Sequence, residues 1–189
     1  MTMMPKLNSK TVFVILEGQP KRPVLPTLYD LEPQPHWQYL FADTEWSPYQ
    51  SESPLLVKTD AGSPFLRRVM DDMQSSEGWR GLILESADGF DAVLSWAQQR
   101  LTVAFAPPRT GLLRYYDPLI WHELCSACEI TGGTIHYGHY WLEEGESGRW
   151  CLSEYPEPVA DPSGANLSSL QLESLTALAS RRASGQPRS

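Results

Sequence analysis

The chain has 189 residues, of which 41% are hydrophobic, and it holds 7 Trp, 8 Tyr and 5 Phe. This composition supplies one domain with a sizeable apolar core and excludes a chain that is disordered along its whole length. The formal net charge is −8. Four basic residues and one acid precede position 26 and three basic residues follow position 180, which leaves 8 basic and 22 acidic residues between them, a net charge of −14. Because an acidic body repels a phosphate backbone, we exclude general nucleic-acid binding and expect a charged protein partner to be basic.

No stretch of the sequence has the length and apolarity of a membrane-spanning helix, which needs roughly 20 apolar residues. The apolar run at 11–16 is also shorter than the core of a signal peptide. Three cysteines form no disulfide framework, and an odd count of this kind is typical of a reducing compartment. We therefore expect a cytoplasmic protein without a membrane span.

Strand and helix patterns alternate along the first 130 residues. After a flexible leader at 1–10, the continuous apolar run at 11–16 predicts a central strand buried on both faces. A short leucine helix follows, and Ser63 then precedes a clearly amphipathic helix as its N-cap. Asp88 is predicted to cap the next helix. Further strands are predicted at 37–41, 54–58, 79–85, 102–106 and 112–116.

Asp117 and Pro118 mark the junction between the last of these strands and a helix. Aspartate accepts hydrogen bonds from the free amides of a first helical turn, and proline suits the first helical position because its missing donor costs nothing there. We predict a mixed α/β domain at 11–153 in which helices pack on a central mixed sheet. The chain would end with a β-hairpin near 134–153, a Pro-rich linker at 154–165, a C-terminal helix at 166–182 that opens with a capping box at Ser168 and Gln171, and a tail at 183–189.

Three side chains with metal-binding or nucleophilic chemistry lie together in the helix that follows Pro118. His122, Cys125 and Cys128 occupy positions i, i+3 and i+6, on one helix face. Zinc sites that use a Cys-x-x-Cys pair usually take it from a turn and add a second ligand pair downstream, and a redox-active cysteine usually begins a helix. Here the pair lies inside an amphipathic helix, which favours packing over chemistry. His136 and His139 are three apart on a predicted strand, so we expect them on opposite faces, at the surface or an edge.

The sequence contains no Gly-x-Ser-x-Gly elbow, phosphate loop or dinucleotide fingerprint. We therefore predict no enzyme, no bound metal and no cofactor. The many large aromatics favour protein binding instead, because tryptophan and tyrosine are enriched at binding hot spots. The predicted partner-binding residues are Trp46 and Tyr49 in a polar loop and Trp141 and Trp150 in the hairpin.

The order of elements over about 11–153 resembles that of the adaptor, or chaperone, proteins that load toxic effectors onto the spike of the bacterial type VI secretion system. This family was long catalogued only as a domain of unknown function. The most specific match is the segment Arg114-Tyr115-Tyr116-Asp117-Pro118, which is similar to the family's arginine-aromatic-aromatic-Asp-Pro signature. One departure is the loop at 43–53, where the family often carries a Gly-Thr-rich segment.

The resemblance implies a non-catalytic cytoplasmic adaptor that binds one effector, usually encoded beside it, and often the spike protein VgrG, and that is not secreted itself. We interpret the five signature residues as structural, a capped junction between two elements. Two alternatives stay open. One is a small hydrolase or zinc-binding protein that uses His122, Cys125 and Cys128, and the other is a homodimer that buries its aromatic face on itself.

Overall fold

The computed structural model describes residues 4–106, 108–126, 135–144, 147–156 and 167–185. The strands are β1 (Thr11–Glu17), β2 (His36–Tyr39), β3 (Leu55–Asp60), β4 (Arg80–Glu85), β5 (Thr102–Ala106), β6 (Arg109–Leu112), β7 (Ile135–Glu144) and β8 (Ser147–Pro156). The α-helices are α1 (Val24–Leu31), α2 (Pro64–Met73), α3 (Phe90–Gln99), α4 (Pro118–Ser126) and α5 (Ser169–Ser184). A 3₁₀ helix, Ser47–Glu52, lies between β2 and β3.

Six strands form one sheet in the order β2-β3-β1-β4-β7-β8, and β5 pairs with β6 in a separate two-stranded sheet. The predicted α/β class, with helices packed on a central sheet, is confirmed, but the sheet is antiparallel in every recorded pairing where we expected mixed directions. The reason lies in the crossovers. α1 leads from β1 to β2 and α2 leads from β3 to β4, and in each case one strand of opposite direction lies between the two strands that the helix joins. The two crossovers are therefore interleaved, and neighbours in the sheet run in opposite directions.

β1 lies at the centre of the sheet between β3 and β4, as its continuous apolar run predicts. Its side chains alternate between two cores. Val12, Val14 and Leu16 join the core that contains α1 and α2, whereas Phe13 and Ile15 join the core that contains α3 and α4. All five are at most 1% exposed, so helices cover both faces of the sheet.

The starts of α2 and α3 differ in how they are capped. Ser63 caps α2 as predicted, with its Oγ accepting from the backbone N–H of Leu66 at 3.0 Å. The predicted cap at Asp88 is wrong, because the N-cap of α3 is Gly89 and no side chain caps it. The carboxylate of Asp88 instead accepts from Ser86 Oγ at 3.4 Å in the preceding turn.

The strand predicted at 112–116 is also wrong. β6 ends at Leu112, and the chain then leaves the strand before α4 begins. Tyr115 and Tyr116 are adjacent, yet each is only 1% exposed. A strand would send neighbouring side chains to opposite faces, whereas the irregular backbone here buries both rings in one core.

α5 packs on α4, and its predicted capping box is present. Gln171 Nε2 donates to the carbonyl oxygen of Leu124 at 3.3 Å, and Arg181 pairs with Glu123 at 2.9 Å. Leu178 is 5% exposed, so the helix contributes an apolar side chain to the contact as well. The C-terminal helix is therefore attached to the body of the protein.

Candidate functional site

An open cleft lies at the end of the sheet where β1 leads into α1. Its volume is ≈ 630 Å³, within the range of roughly 300–1,000 Å³ that is usual for ligand sites. Three segments line it: the β1–α1 connection, the chain from the end of β2 to the start of β3, and the chain after β6 begins to leave its strand. The lining residues are Glu17, Gly18, Gln19, Pro20, Pro23, Val24, Leu25, Tyr39, Phe41, Ser51, Glu52, Ser53, Leu55, Leu112, Arg114 and Tyr116.

The β1–α1 connection forms one wall of the cleft and is tied to α2 and to the chain before β4. Gln19 and Arg22 exchange backbone hydrogen bonds at 3.3 and 2.9 Å. The guanidinium of Arg22 pairs with the buried Asp72 at 2.9 Å, and the indole N–H of Trp79 donates to the carbonyl oxygen of Arg22 at 2.7 Å. The β1–α1 connection is therefore fixed to the rest of the fold by hydrogen bonds and an ion pair.

Arg114, Tyr116 and Glu17 form a polar group in the cleft. Arg114 makes an ion pair with Glu17, which is 97 positions away in the sequence, and it also hydrogen-bonds Tyr116. Burial lowers the pKa of Arg114, but the negative charge of Glu17 outweighs this and raises the pKa, so the guanidinium stays charged. Burial and the same negative charge raise the pKa of Tyr116 to about 12, so this phenol stays protonated at neutral pH.

The other signature residues do not line this cleft. The hydroxyl of Tyr115 donates to the carbonyl oxygen of Ala97 at 2.9 Å. Asp117 Oδ1 accepts from the backbone N–H of Leu119 at 2.9 Å, so it caps α4, which begins at Pro118. The signature is thus divided: Arg114 and Tyr116 line the cleft, whereas Tyr115, Asp117 and Pro118 shape the turn into α4.

The second oxygen of Asp117 connects this turn to the C-terminal helix. Asp117 Oδ2 accepts from Arg182 Nη2 at 2.9 Å, and the two side chains are 12% and 43% exposed. The signature aspartate therefore holds both the start of α4 and the end of α5.

The candidate metal or nucleophile residues are only partly in view. His122 lies on α4, and its Nδ1 shares a hydrogen bond with the hydroxyl of Tyr140 at 2.8 Å. Cys125 lies on the same helix and is half-buried, whereas Cys128 lies outside the described residues. Burial, followed by the nearby Cys151 and Cys125, raises the pKa of Tyr140. Sequence reasoning missed Tyr140 as a neighbour of this helix, because it comes from the hairpin.

The four predicted partner-binding aromatics lie in two separate places. Trp46 is half-buried against the core that contains α3 and α4, and its indole N–H donates to Thr102 Oγ1 at 2.9 Å. Tyr49 lies beside it, with ring centroids 6.4 Å apart, and is 55% exposed. Both belong to the segment that enters the 3₁₀ helix, the last residues of which line the cleft.

Trp141 and Trp150 lie on the opposite side of the sheet. They face each other across β7 and β8, with ring centroids 5.7 Å apart, and both pack against the core that contains α1 and α2. Both are half-buried. The structure therefore does not join all four aromatics in one surface.

The expectation that His139 lies at the surface or an edge is wrong. β7 lies between β4 and β8, and His139 is 3% exposed, with Nε2 2.6 Å from Oε1 of the equally buried Glu85. Glu85 Oε2 also accepts from the backbone N–H groups of Asn8 and Ser9 at 2.8 and 2.7 Å. Burial raises the pKa of Glu85. The hydrogen bonds, of which that with His139 has the largest effect, together lower the pKa by more than burial raises it, so the net shift is downward. The side chain of His136 is outside the described residues.

Within the described ranges, no group of three or more His, Cys, Asp or Glu side chains is placed to hold a metal ion. None of the helices described is long and apolar enough to cross a membrane.

No curated protein and no solved structure matches the chain. A family model, described as Domain of unknown function (DUF4123), matches residues 12–131. The matched region runs from β1 to the end of α4 and includes every residue that lines the cleft as well as the Arg-Tyr-Tyr-Asp-Pro segment. Because the match covers more than half of the residues of the chain, the chain belongs to the DUF4123 family.

Proposed function

We propose that this protein is a non-catalytic adaptor that binds a type VI secretion effector in the bacterial cytoplasm and helps to load it onto the spike protein VgrG. The observation that carries the proposal is the Arg-Tyr-Tyr-Asp-Pro segment at 114–118, the signature through which the chain resembles effector adaptors. The family match over 12–131 supports the same relationship. The adaptor itself would not be secreted.

The geometry around the signature fits a binding role better than a catalytic one. Arg114 and Glu17 neutralise each other in the cleft, and Tyr116 stays protonated, since its pKa is about 12. None of the three is thus an activated base or nucleophile at neutral pH. The exposed Tyr49 offers an aromatic contact on the 3₁₀ helix beside the cleft, and aromatic side chains of this kind supply much of the energy of protein interfaces.

The test is co-expression of the tagged chain with each gene that neighbours its own, followed by purification and mass analysis. We expect one neighbouring protein to be recovered at one-to-one stoichiometry and to be insoluble or unstable when it is expressed alone. Recovery of a clean monomer or homodimer with every neighbour would contradict the adaptor role. Metal analysis of the same sample tests the zinc alternative, because stoichiometric zinc that disappears in Cys128→Ser would replace the adaptor with a metal protein.

A matched pair of variants locates the contact. Tyr49 and Tyr29 are similarly exposed, at 55% and 57%. Tyr49 lies on the 3₁₀ helix whose last residues line the cleft, whereas Tyr29 lies on α1 beyond Leu25, the last residue of that helix in the lining. We expect Tyr49→Ala to weaken recovery of the effector and Tyr29→Ala to leave it unchanged. Equal recovery with both variants would place the effector elsewhere, and the same comparison with Trp141→Ala would then test the hairpin face.

A further inference from the structure

The cleft has an apolar floor, half-buried apolar sides and a polar rim that includes Ser51, Glu52 and Arg114. Phe41 and Leu55 are 1% and 5% exposed and form part of the floor, while Tyr39 and Leu112 are half-buried at its sides. A volume of ≈ 630 Å³ holds several neighbouring side chains. Phe41 and Leu55 have little surface left to bury, so the apolar surface that an occupant can remove from water belongs mainly to the half-buried Tyr39 and Leu112.

One of the acids that line the cleft makes no ion pair with any of the residues that the structure describes. The lining contains two acids, Glu17 and Glu52, and one base, Arg114. Glu17 already pairs with Arg114, whereas Glu52 is exposed and takes part in no ion pair among the described residues. The net charge of the lining is therefore −1, which complements a single positive charge on an occupant.

The cleft also adjoins the edge strand of the described sheet. β2 is the outermost strand of the described sheet and pairs only with β3 there, and its last residue, Tyr39, lines the cleft. An outermost strand keeps one row of backbone donors and acceptors unpaired, and an extended peptide pairs with such a row readily.

We propose that this cleft binds an extended segment of the partner protein that carries apolar side chains and one lysine or arginine, with the basic side chain directed to Glu52. The inference rests on the proposed function only for the identity of that partner as an effector. It specifies the chemistry of the recognised segment: apolar residues over the floor, one positive charge at the rim and an extended backbone beside β2.

The test uses a defined probe, a phage-displayed library of random dodecapeptides selected on the wild-type protein, with binding of the enriched peptides then measured by fluorescence anisotropy. We expect enriched peptides to combine apolar residues with a lysine or arginine. Enrichment of acidic peptides, or of none, would overturn the inference.

Three variants assign the binding to the cleft. Glu52→Lys reverses the unpaired charge and should weaken binding about fivefold or more, since it replaces an attraction with a repulsion. Ser51→Trp places a large ring at the exposed edge of the cleft and should weaken binding by about tenfold or more through steric exclusion. Glu77→Lys makes the same change of charge at an exposed acid outside the cleft and should leave binding within about twofold of wild type.

Circular dichroism first confirms that each variant is folded. Equal binding by Glu52→Lys, Ser51→Trp and Glu77→Lys would overturn the assignment to the cleft. The outcome is separate from that of the co-expression experiment. Cleft-dependent peptide binding without a neighbouring partner would contradict the effector role alone, and a neighbour recovered equally by all three variants would contradict the cleft alone.

Discussion

Asp117 offers a direct test of whether the signature aspartate is structural. Its Oδ1 caps α4 through the backbone N–H of Leu119 at 2.9 Å, and its Oδ2 accepts from Arg182 on α5 at 2.9 Å. Asp117→Ala removes both contacts. Asp117→Asn keeps an oxygen that can cap the helix, since asparagine is as good an N-cap as aspartate, but removes the charge that Arg182 faces.

The two contacts differ in size. Loss of an N-cap costs about 1 kcal/mol. The ion pair contributes less, because the side chain of Arg182 is 43% exposed and solvent screening limits such pairs to roughly 0.2–1 kcal/mol. We therefore expect Asp117→Ala to lower the free energy of unfolding by about 1.2–2 kcal/mol and Asp117→Asn to lower it by about 0.5 kcal/mol.

Urea unfolding followed by tryptophan fluorescence and by far-ultraviolet circular dichroism measures both values. Arg182→Ala is the matched control, because it removes the ion pair and leaves the cap in place. If Asp117 and Arg182 interact as the structure indicates, Asp117→Asn combined with Arg182→Ala will cost no more than either change alone.

Two results would refute this reasoning. If Asp117→Asn destabilises the protein as much as Asp117→Ala, the charge and not the cap carries the contribution. If Asp117→Ala changes the free energy of unfolding by less than about 0.5 kcal/mol, which is the smallest expected cost of a lost cap, the structural interpretation of this residue is wrong, and a role in partner binding would take its place.

Three further predictions concern the buried polar groups and the sheet. The pKa of Glu85 is lowered from 4.5, so its hydrogen bonds stabilise the fold at pH values above the unfolded-state pKa, and this contribution is lost as the pH falls through the lowered folded-state pKa. Glu85→Gln should therefore flatten the pH dependence of urea unfolding below about pH 4.5. An unchanged slope would contradict the buried contact with His139. The pKa of Tyr116 is raised from 10.0 to about 12. Between these two pH values the folded state therefore binds more protons than the unfolded state, and the free energy of unfolding falls as the pH rises. Tyr116→Phe should remove the contribution of this residue to that decrease, as measured by urea unfolding of the variant and of wild type from about pH 9 upward. A Cβ at Gly81 would lie 1.8 Å from a backbone oxygen of β1, whereas one at Gly62 would meet nothing within 4 Å. Gly81→Ala should therefore abolish soluble expression, and Gly62→Ala should not. Normal expression of both variants would mean that β1 and β4 do not pair in this register.

Features that depend on neighbouring residues could be predicted from the sequence. The run at 12–16 is apolar at every position and favours a strand covered on both faces, so the central place of β1 could be predicted from the sequence. Ser63 and the capping box of α5 were predictable because a helix start is satisfied by side chains within three residues. The helix after Pro118 follows from the same local chemistry.

Features that depend on distant residues were decided by the tertiary structure. Arg114 meets Glu17 across 97 positions, and His139 meets Glu85 across 54. Such pairs leave no periodic signal, because either partner alone resembles an ordinary surface charge. The β-prone, bulky residues at 112–116 likewise predicted a strand through Tyr115 and Tyr116, but burying both rings in one core required an irregular backbone. The candidate site itself depends on distant residues. Three segments that are separate in the sequence form the cleft only when β1 lies between β3 and β4 and the signature turn lies beside them. The burial of both faces of the sheet determines this arrangement of strands, and no local sequence pattern specifies it.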